Sequence, residues 1–220
     1  MSQILSQPAR AKLVYKRWTL SNFQIDFGRP GFIVSQTLCA KRMTTPELLF
    51  QRLQELGAGE FAHLNGSLIE HLKGTADLLK SWGNREALCN AGLYHAVYGT
   101  DGYDESLVGL TMRQQIAGFI GTEAEGITYL YGACDRKAFY PRIGTSSQLT
   151  YSDRFTQKSF EIPQTTLKDL CELILANELE IAKNSEPFRK EYGAQLSQLF
   201  EQMRGLVSDH GFRFYKEVLG

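Results

Sequence analysis

Three of the four histidines of this 220-residue chain, His63, His71 and His95, fall within 33 residues. Imidazole is the side chain that most readily ligates a transition metal or moves a proton near neutral pH. Helical register predicts that two of the three meet. Ser67-Leu68-Ile69-Glu70 reads as a capping box that opens a helix, the serine accepting from the third helical N–H while the glutamate reaches back. His71 stands three residues after Leu68 and four before Thr75, at the edge of that helix's apolar face. His95 stands four after Ala91 and seven after Leu88, on the inward side of the next helix and near its end. A short turn at Gly83-Asn84 makes the two helices antiparallel, which sets the start of one beside the end of the other. Each histidine also has a plain structural explanation: His71 paired with a carboxylate such as Glu70, His95 satisfied within a core, His63 in a loop near Gly66.

The stretches His71-Leu72-Lys73-Gly74-Thr75, Trp82-Gly83 and Cys89-Asn90-Ala91-Gly92-Leu93-Tyr94-His95-Ala96-Val97-Tyr98-Gly99-Thr100 resemble the metal-binding helix pair of the HD superfamily. That superfamily holds metal-dependent phosphohydrolases and a smaller branch of non-haem iron oxygenases. More closely, the segment looks like a degenerate HD-like family with the signature HLxGT…WG…CxAGLxHxVYGT. The resemblance covers about residues 60–140. It implies an HD-like helical bundle, His71 as the first metal-ligating histidine and His95 as that of the His-Asp pair. It further implies Asp135, in Tyr131-Gly132-Ala133-Cys134-Asp135-Arg136, as the later aspartate and His63 as an additional histidine. One departure matters: where the superfamily has aspartate after the second histidine, this chain has Ala96. A two-metal centre bridged by that carboxylate is therefore not expected. His63, His71, His95 and Asp135 would still make a mononuclear N/O site suited to Fe(II), Mn(II), Zn(II) or Ni(II). Such an ion lowers the pKa of bound water to about 7 or polarises a phosphoryl or carbonyl oxygen; iron with open positions would instead accept dioxygen.

Further candidates flank these positions. Tyr94, Tyr98 and Tyr103 surround the second histidine, and Tyr129, Tyr131 and Tyr140 surround Asp135. Tyr98 is the expected proton donor or substrate-orienting group among them, although tyrosines at helical spacing also serve as core residues with a bonded hydroxyl. Arg113 and Arg136, with Lys137, could hold an anionic group through charge-assisted bonds or simply face solvent. Glu123, at a helix start with Glu125, could act as a general base, while the helix dipole alone accounts for both carboxylates. Asp101, in the turn Thr100-Asp101-Gly102-Tyr103, could approach a metal that Ala96 cannot reach. No Walker loop, GxGxxG, GxSxG or CxxC motif is present.

The elements that must position these groups are mostly helical. Thr45 to Leu56 starts with a cap and a proline at the first helical position, carries Leu48, Leu49, Leu53 and Leu56 as a stripe, and ends at Gly57. The capping-box helix runs on through Leu72, Thr75, Leu79 and Trp82. Asn84 is expected to cap its successor. Thr111 to Gln114 and Thr122 to Glu125 read as two further capping boxes, the second leading through Ile127, Leu130, Tyr131 and Cys134 toward Lys137. Pro141, Gly144, Ser146 and Ser147 mark a loop, and Tyr151 to Ile162 is long enough for a small hairpin. Two helices close the chain, about Thr166 to Lys183 and Glu186 to Asp209, with Gly211 just beyond.

Composition bounds the function. Lys plus Arg (24) equals Asp plus Glu (24), with 43% hydrophobic residues. A uniformly basic nucleic-acid binder and an acidic disordered chain are both disfavoured. Residues 1–44 nevertheless carry seven basic side chains against Asp26 alone, an arm that either lies on the acidic remainder or reaches for phosphate or a partner chain. No apolar run is long enough to span a membrane, and Met1 to Arg10 lacks the order of a signal peptide. Cys39, Cys89, Cys134 and Cys171 lie far apart and read as reduced, cytoplasmic thiols. The sequence thus predicts a single, mostly α domain: a basic N-terminal extension (1–44), an HD-like core (45–140), a loop or β-hairpin insertion (141–163, the hairpin near 145–162) and C-terminal helices (164–220). The expected function is a metal-dependent enzyme, by default a hydrolase, acting on a small, anionic molecule as monomer or homodimer, with no nucleic-acid or membrane partner. A non-haem iron oxygenase and a non-catalytic binding module that has lost its metal are the alternatives.

Overall fold

The computed structural model describes residues 45–60, 62–63, 66–102, 105–145 and 149–220, with the backbone alone at Ala62, His63 and Gly66. The basic arm 1–44, Tyr103, Ser146 and Ser147 lie outside the described residues. All of those described belong to one unit.

Helix α1 (Pro46–Glu55) starts as its sequence predicts, with the Thr45 side chain accepting from Leu48 N–H and proline in the first turn. Leu49 and Leu53 are buried, whereas Leu48 faces outward. A two-residue pairing of β1 (Ala62–His63) with β2 (Gly66–Ser67) then leads directly into α2 (Leu68–Ser81). The Ser67–Glu70 capping box is complete: Glu70 N–H donates to Ser67 Oγ at 3.4 Å, and Ser67 N–H to Glu70 Oε2 at 3.1 Å. Such a cap contributes about 1 kcal/mol. It also fixes where the first turn of α2 begins, and so the direction in which His71 projects.

Helix α3 (Glu86–Tyr94) starts one residue later than predicted. Its N-cap is Arg85, and the Asn84 amide instead donates to the Leu79 carbonyl and to Glu172 Oε1 at 2.9 Å. The other two predicted capping boxes are also absent. Thr111 sits within a single 3-10 turn (Leu110–Met112) ahead of α4 (Arg113–Ile120), and Thr122 is the first helical residue of α5 (Thr122–Ala133). Gly121, at φ 90°, makes that corner, a backbone conformation open to glycine but unfavourable for side-chain-bearing residues. Helix α5 stops at Ala133 short of Lys137, and a separate turn, α6 (Arg136–Phe139), is capped by Asp135.

The predicted hairpin exists as β3 (Thr150–Asp153) paired antiparallel with β4 (Lys158–Glu161). Helix α7 (Gln164–Asn184) packs on α2, α3 and α5, with thirteen of its residues buried. It is the central helix of the bundle rather than an addition at its edge. The last predicted helix is two: α8 (Glu186–Gln202) and α9 (Asp209–Leu219). The chain turns between them at Gly205 (φ 81°), and the Ser208 side chain caps α9, so Gly211 lies inside a helix. The fold is mostly α, a helical bundle with a small β-hairpin, as the sequence predicts. Among the described residues no helix is long and apolar enough to cross a membrane.

Candidate active site

Helices α2 and α3 are antiparallel neighbours packed closely enough that a Cβ on Gly92 would lie 2.5 Å from Leu79 Cδ1. That approach carries His71, in the first turn of α2, to His95, just past the end of α3. Both are buried, at 5% and 2% exposure, with ring centroids 5.2 Å apart and planes nearly perpendicular. On its other side the His95 ring meets Tyr131 of α5 edge-on at 5.2 Å. His95 Nδ1 donates to the Gly92 carbonyl at 2.7 Å. This bond sets the tautomer, since a carbonyl can only accept, and places the neutral ring's lone pair on Nε2.

Helix α7 supplies what His71 faces. Glu180 pairs with His71 Nδ1, and Asn177 Oδ1 lies 3.0 Å from His71 Nε2. Asn177 Nδ2 donates to Glu178 Oε1 at 3.1 Å, which orients the amide oxygen toward the imidazole. Gly74, one turn after His71, makes room for this pairing, because a Cβ there would come within 2.8 Å of Glu180 Cγ. Glu178 lies 3.7 Å from the buried Arg136 guanidinium, whose Nη2 donates to the Tyr131 hydroxyl at 3.0 Å. The Tyr140 ring is 5.9 Å from the same guanidinium. Burial raises the Tyr131 and Tyr140 hydroxyls well above the ordinary phenol pKa, so both are donors at neutral pH.

The remaining predicted site residues are placed elsewhere. The Asp135 carboxylate accepts from Ala138 N–H at 3.1 Å as the cap of α6, and Asp101 accepts from Arg136 N–H at 3.1 Å. His63 lies in β1, next to the start of α2; its side chain is outside the described residues. Tyr98 and Arg113 converge on Glu125: the Tyr98 hydroxyl donates at 3.0 Å, and Arg113 binds both carboxylate oxygens at 2.6 and 2.9 Å. Glu123 is half of a surface pair with Arg85, which also forks onto Asp169 at 2.6 and 2.7 Å. Arg85 and Arg113 line an open groove of roughly 820 Å³ between α5 and the start of α7, but the carboxylates just named already take up their charge.

Sequence reasoning missed Asn177, Glu178 and Glu180. Their signal was available: they interrupt the otherwise apolar run Leu173 to Ala182, and polar residues on a helix buried all round need partners.

A divalent ion suits part of this arrangement. His71 Nε2 and Asn177 Oδ1, hydrogen-bonded at 3.0 Å, are a nitrogen and an oxygen donor that an ion could take in exchange for that bond. Both Nδ1 atoms are held by acceptors, as in carboxylate- and carbonyl-anchored metal histidines. Among the described residues, however, no three His, Cys, Asp or Glu side chains are grouped to hold a metal ion.

Comparison with known proteins bears on the fold. Residues 52–136 match a family model described as a domain of unknown function, DUF6817. No curated protein matches the sequence. A solved structure reported as a metazoan ortholog of SpoT that hydrolyzes ppGpp is similar over 80% of this chain and 96% of its own, with TM-score 0.52 and 14% identity. At that identity the likeness shows the helical fold alone.

Proposed function

We propose that this protein is a hydrolase acting on a small anionic molecule, with one divalent metal ion held at His71 and His95. The observation that carries the reading is the pair of buried imidazoles from adjoining helices, each anchored through Nδ1, with His71 also meeting polar groups of α7 in the core. Burying several ionisable groups together is costly, and such groups concentrate where chemistry is done. The HD-like fold and its hydrolase neighbour support the reading without identifying a substrate. His71 and His95 would hold the ion, with the Asn177 amide oxygen and His63 as the donors that complete the set. Asp135, committed to capping α6, is not part of it. The ion would supply Lewis acidity and an activated water. The chain itself contributes the rest: Glu180 fixes the His71 ring, the Gly92 carbonyl fixes the His95 tautomer, and Arg136 supplies positive charge for an anionic group.

Turnover of a panel of small phosphate and carboxylate esters, measured without oxygen and with Mn(II) or Zn(II), tests this. Activity is expected to require the metal and to fall at least about a hundredfold in His71→Ala and in His95→Ala. Turnover that survives both chelation and these substitutions overturns the reading. A second reading, a binding module without a metal, draws on Ala96 and on the missing third ligand among the described residues. It predicts no metal-dependent turnover and unchanged ligand binding after chelation.

A further inference from the structure

Among the described residues, three buried side-chain polar atoms have no hydrogen-bond partner: Arg52 Nε, Thr128 Oγ1 and the Tyr140 hydroxyl. Arg52 lies with its guanidinium over the Phe119 ring at 4.1 Å, and Thr128 sits inside α5. Tyr140 differs in its surroundings. It follows α6 directly, and its ring lies 5.9 Å from the guanidinium of Arg136, which bonds to Tyr131, the residue whose ring meets His95. Arg136 is itself underused. A guanidinium offers five N–H donors, yet this one makes a single side-chain hydrogen bond, to the Tyr131 hydroxyl, and its ion pair with Glu178 at 3.7 Å is too long to be a hydrogen bond.

A phenol donor without an acceptor, next to a buried cation with donors to spare, is complementary to one chemical object: an oxygen bearing negative charge. Tyr131 already has a partner, since its hydroxyl accepts from Arg136 Nη2, whereas the Tyr140 hydroxyl has none. Glu178 cancels much of the guanidinium charge, so the place suits one oxyanion oxygen rather than a polyanion. We propose that Arg136 and Tyr140 form an oxyanion subsite beside the histidine pair, in which the Tyr140 hydroxyl donates to a phosphoryl or carboxylate oxygen of the bound molecule. The inference rests on the hydrolase reading only in taking that molecule to be the substrate. It explains why a buried hydroxyl is kept where phenylalanine would fill the same space at lower cost.

The test compares two tyrosines. The Tyr94 hydroxyl, fully buried, donates to the Leu49 carbonyl at 2.9 Å and is wholly structural. Full-length parent, Tyr140→Phe and Tyr94→Phe are freed of metal by chelation, so that a metal cannot capture the probe. Each is then titrated with inorganic phosphate and, separately, with acetate, following melting temperature and heat of binding. Parent protein is expected to be stabilised by at least one of the two anions, and which one distinguishes a phosphoryl from a carboxylate site. Tyr140→Phe is expected to melt at the same temperature as the parent or about 2 °C higher, and to bind that anion at least about tenfold more weakly. Tyr94→Phe is expected to melt lower and to keep anion binding. The proposal is overturned if Tyr140→Phe melts lower as Tyr94→Phe does, if it binds the anion as tightly as the parent, or if neither anion binds the parent. Metal content of Tyr140→Phe is expected to equal the parent's. Loss of the metal reading through His71→Ala would therefore leave this result standing, and the two proposals can fail separately.

Discussion

Helix α5 has a polar network at each end, and they differ in how completely they are satisfied. At its start, Glu125 accepts from Tyr98 and from both arms of Arg113. Arg113 stacks 3.6 Å over Tyr129, whose hydroxyl donates to Asp153 at 2.7 Å, and Asp153 also accepts from the Phe155 and Thr156 N–H groups. Every one of those side-chain oxygens has a partner, and the network ties the turn after α3, α4 and α5 to the hairpin. At its end, Tyr131 and Arg136 lead to Glu178, Asn177 and the two histidines, and here Tyr140 has no acceptor. A closed network explains itself as structure; an open one points to a molecule not written in the chain. Three residues that the sequence offered as catalytic, Tyr98, Arg113 and Glu123, make structural ion pairs and hydrogen bonds, whereas Arg136 reaches the histidines through Tyr131.

The sharpest way to break this contrast is to open the closed end. Arg113→Ala leaves the buried Glu125 carboxylate without its cation and should cost about 3 kcal/mol, lowering the melting temperature by roughly 8 °C while metal content stays unchanged. A loss of metal in that variant would mean that the two ends are one site. Next in size is Gly74→Ala. A Cβ there meets Glu180, so the helix packs less well by about 1 kcal/mol, and metal affinity should fall about tenfold as His71 loses its anchor; denaturant unfolding reads the first and calorimetric titration with Zn(II) the second. The smallest effect is set by pH. Hydrogen bonds from Tyr129 and the Phe155 and Thr156 N–H groups outweigh the opposing effect of burial and hold the Asp153 carboxyl below its ordinary pKa. A carboxylate whose pKa is lower folded than unfolded stabilises the fold above the unfolded pKa, and the contribution disappears as pH falls through the folded one. Acid unfolding monitored below pH 4 should therefore lose one proton-linked step in Asp153→Asn.

The helix pair bearing His71 and His95 was legible because its signals are local: a capping box, a heptad-like apolar stripe and a short turn. The hairpin followed from its length between turn residues. What could not be read was set by tertiary partners. Asn84, Thr111 and Thr122 have the chemistry of caps, but the Asn84 amide is drawn to Glu172 on α7, and the two threonines fall inside helical turns already begun by glycine. The Glu186–Asp209 pattern was continuous in apolar spacing, and the break at Gly205 is a matter of one left-handed residue. Asp135 shows the same limit at the site: an aspartate just before a helical turn satisfies that turn's N–H groups first. The groups that replace it come from α7, more than 80 residues beyond His95, a distance across which no spacing rule operates.

The most direct measurement of the central claim is the metal content of protein purified without a histidine tag and loaded in turn with Fe(II), Mn(II) and Zn(II), repeated on His71→Ala, His95→Ala and His63→Ala. The account predicts about one ion per parent chain, a large loss in the His71 and His95 variants and a smaller one in the His63 variant. Full retention in both His71→Ala and His95→Ala, or a parent that binds no ion under any loading, would contradict it.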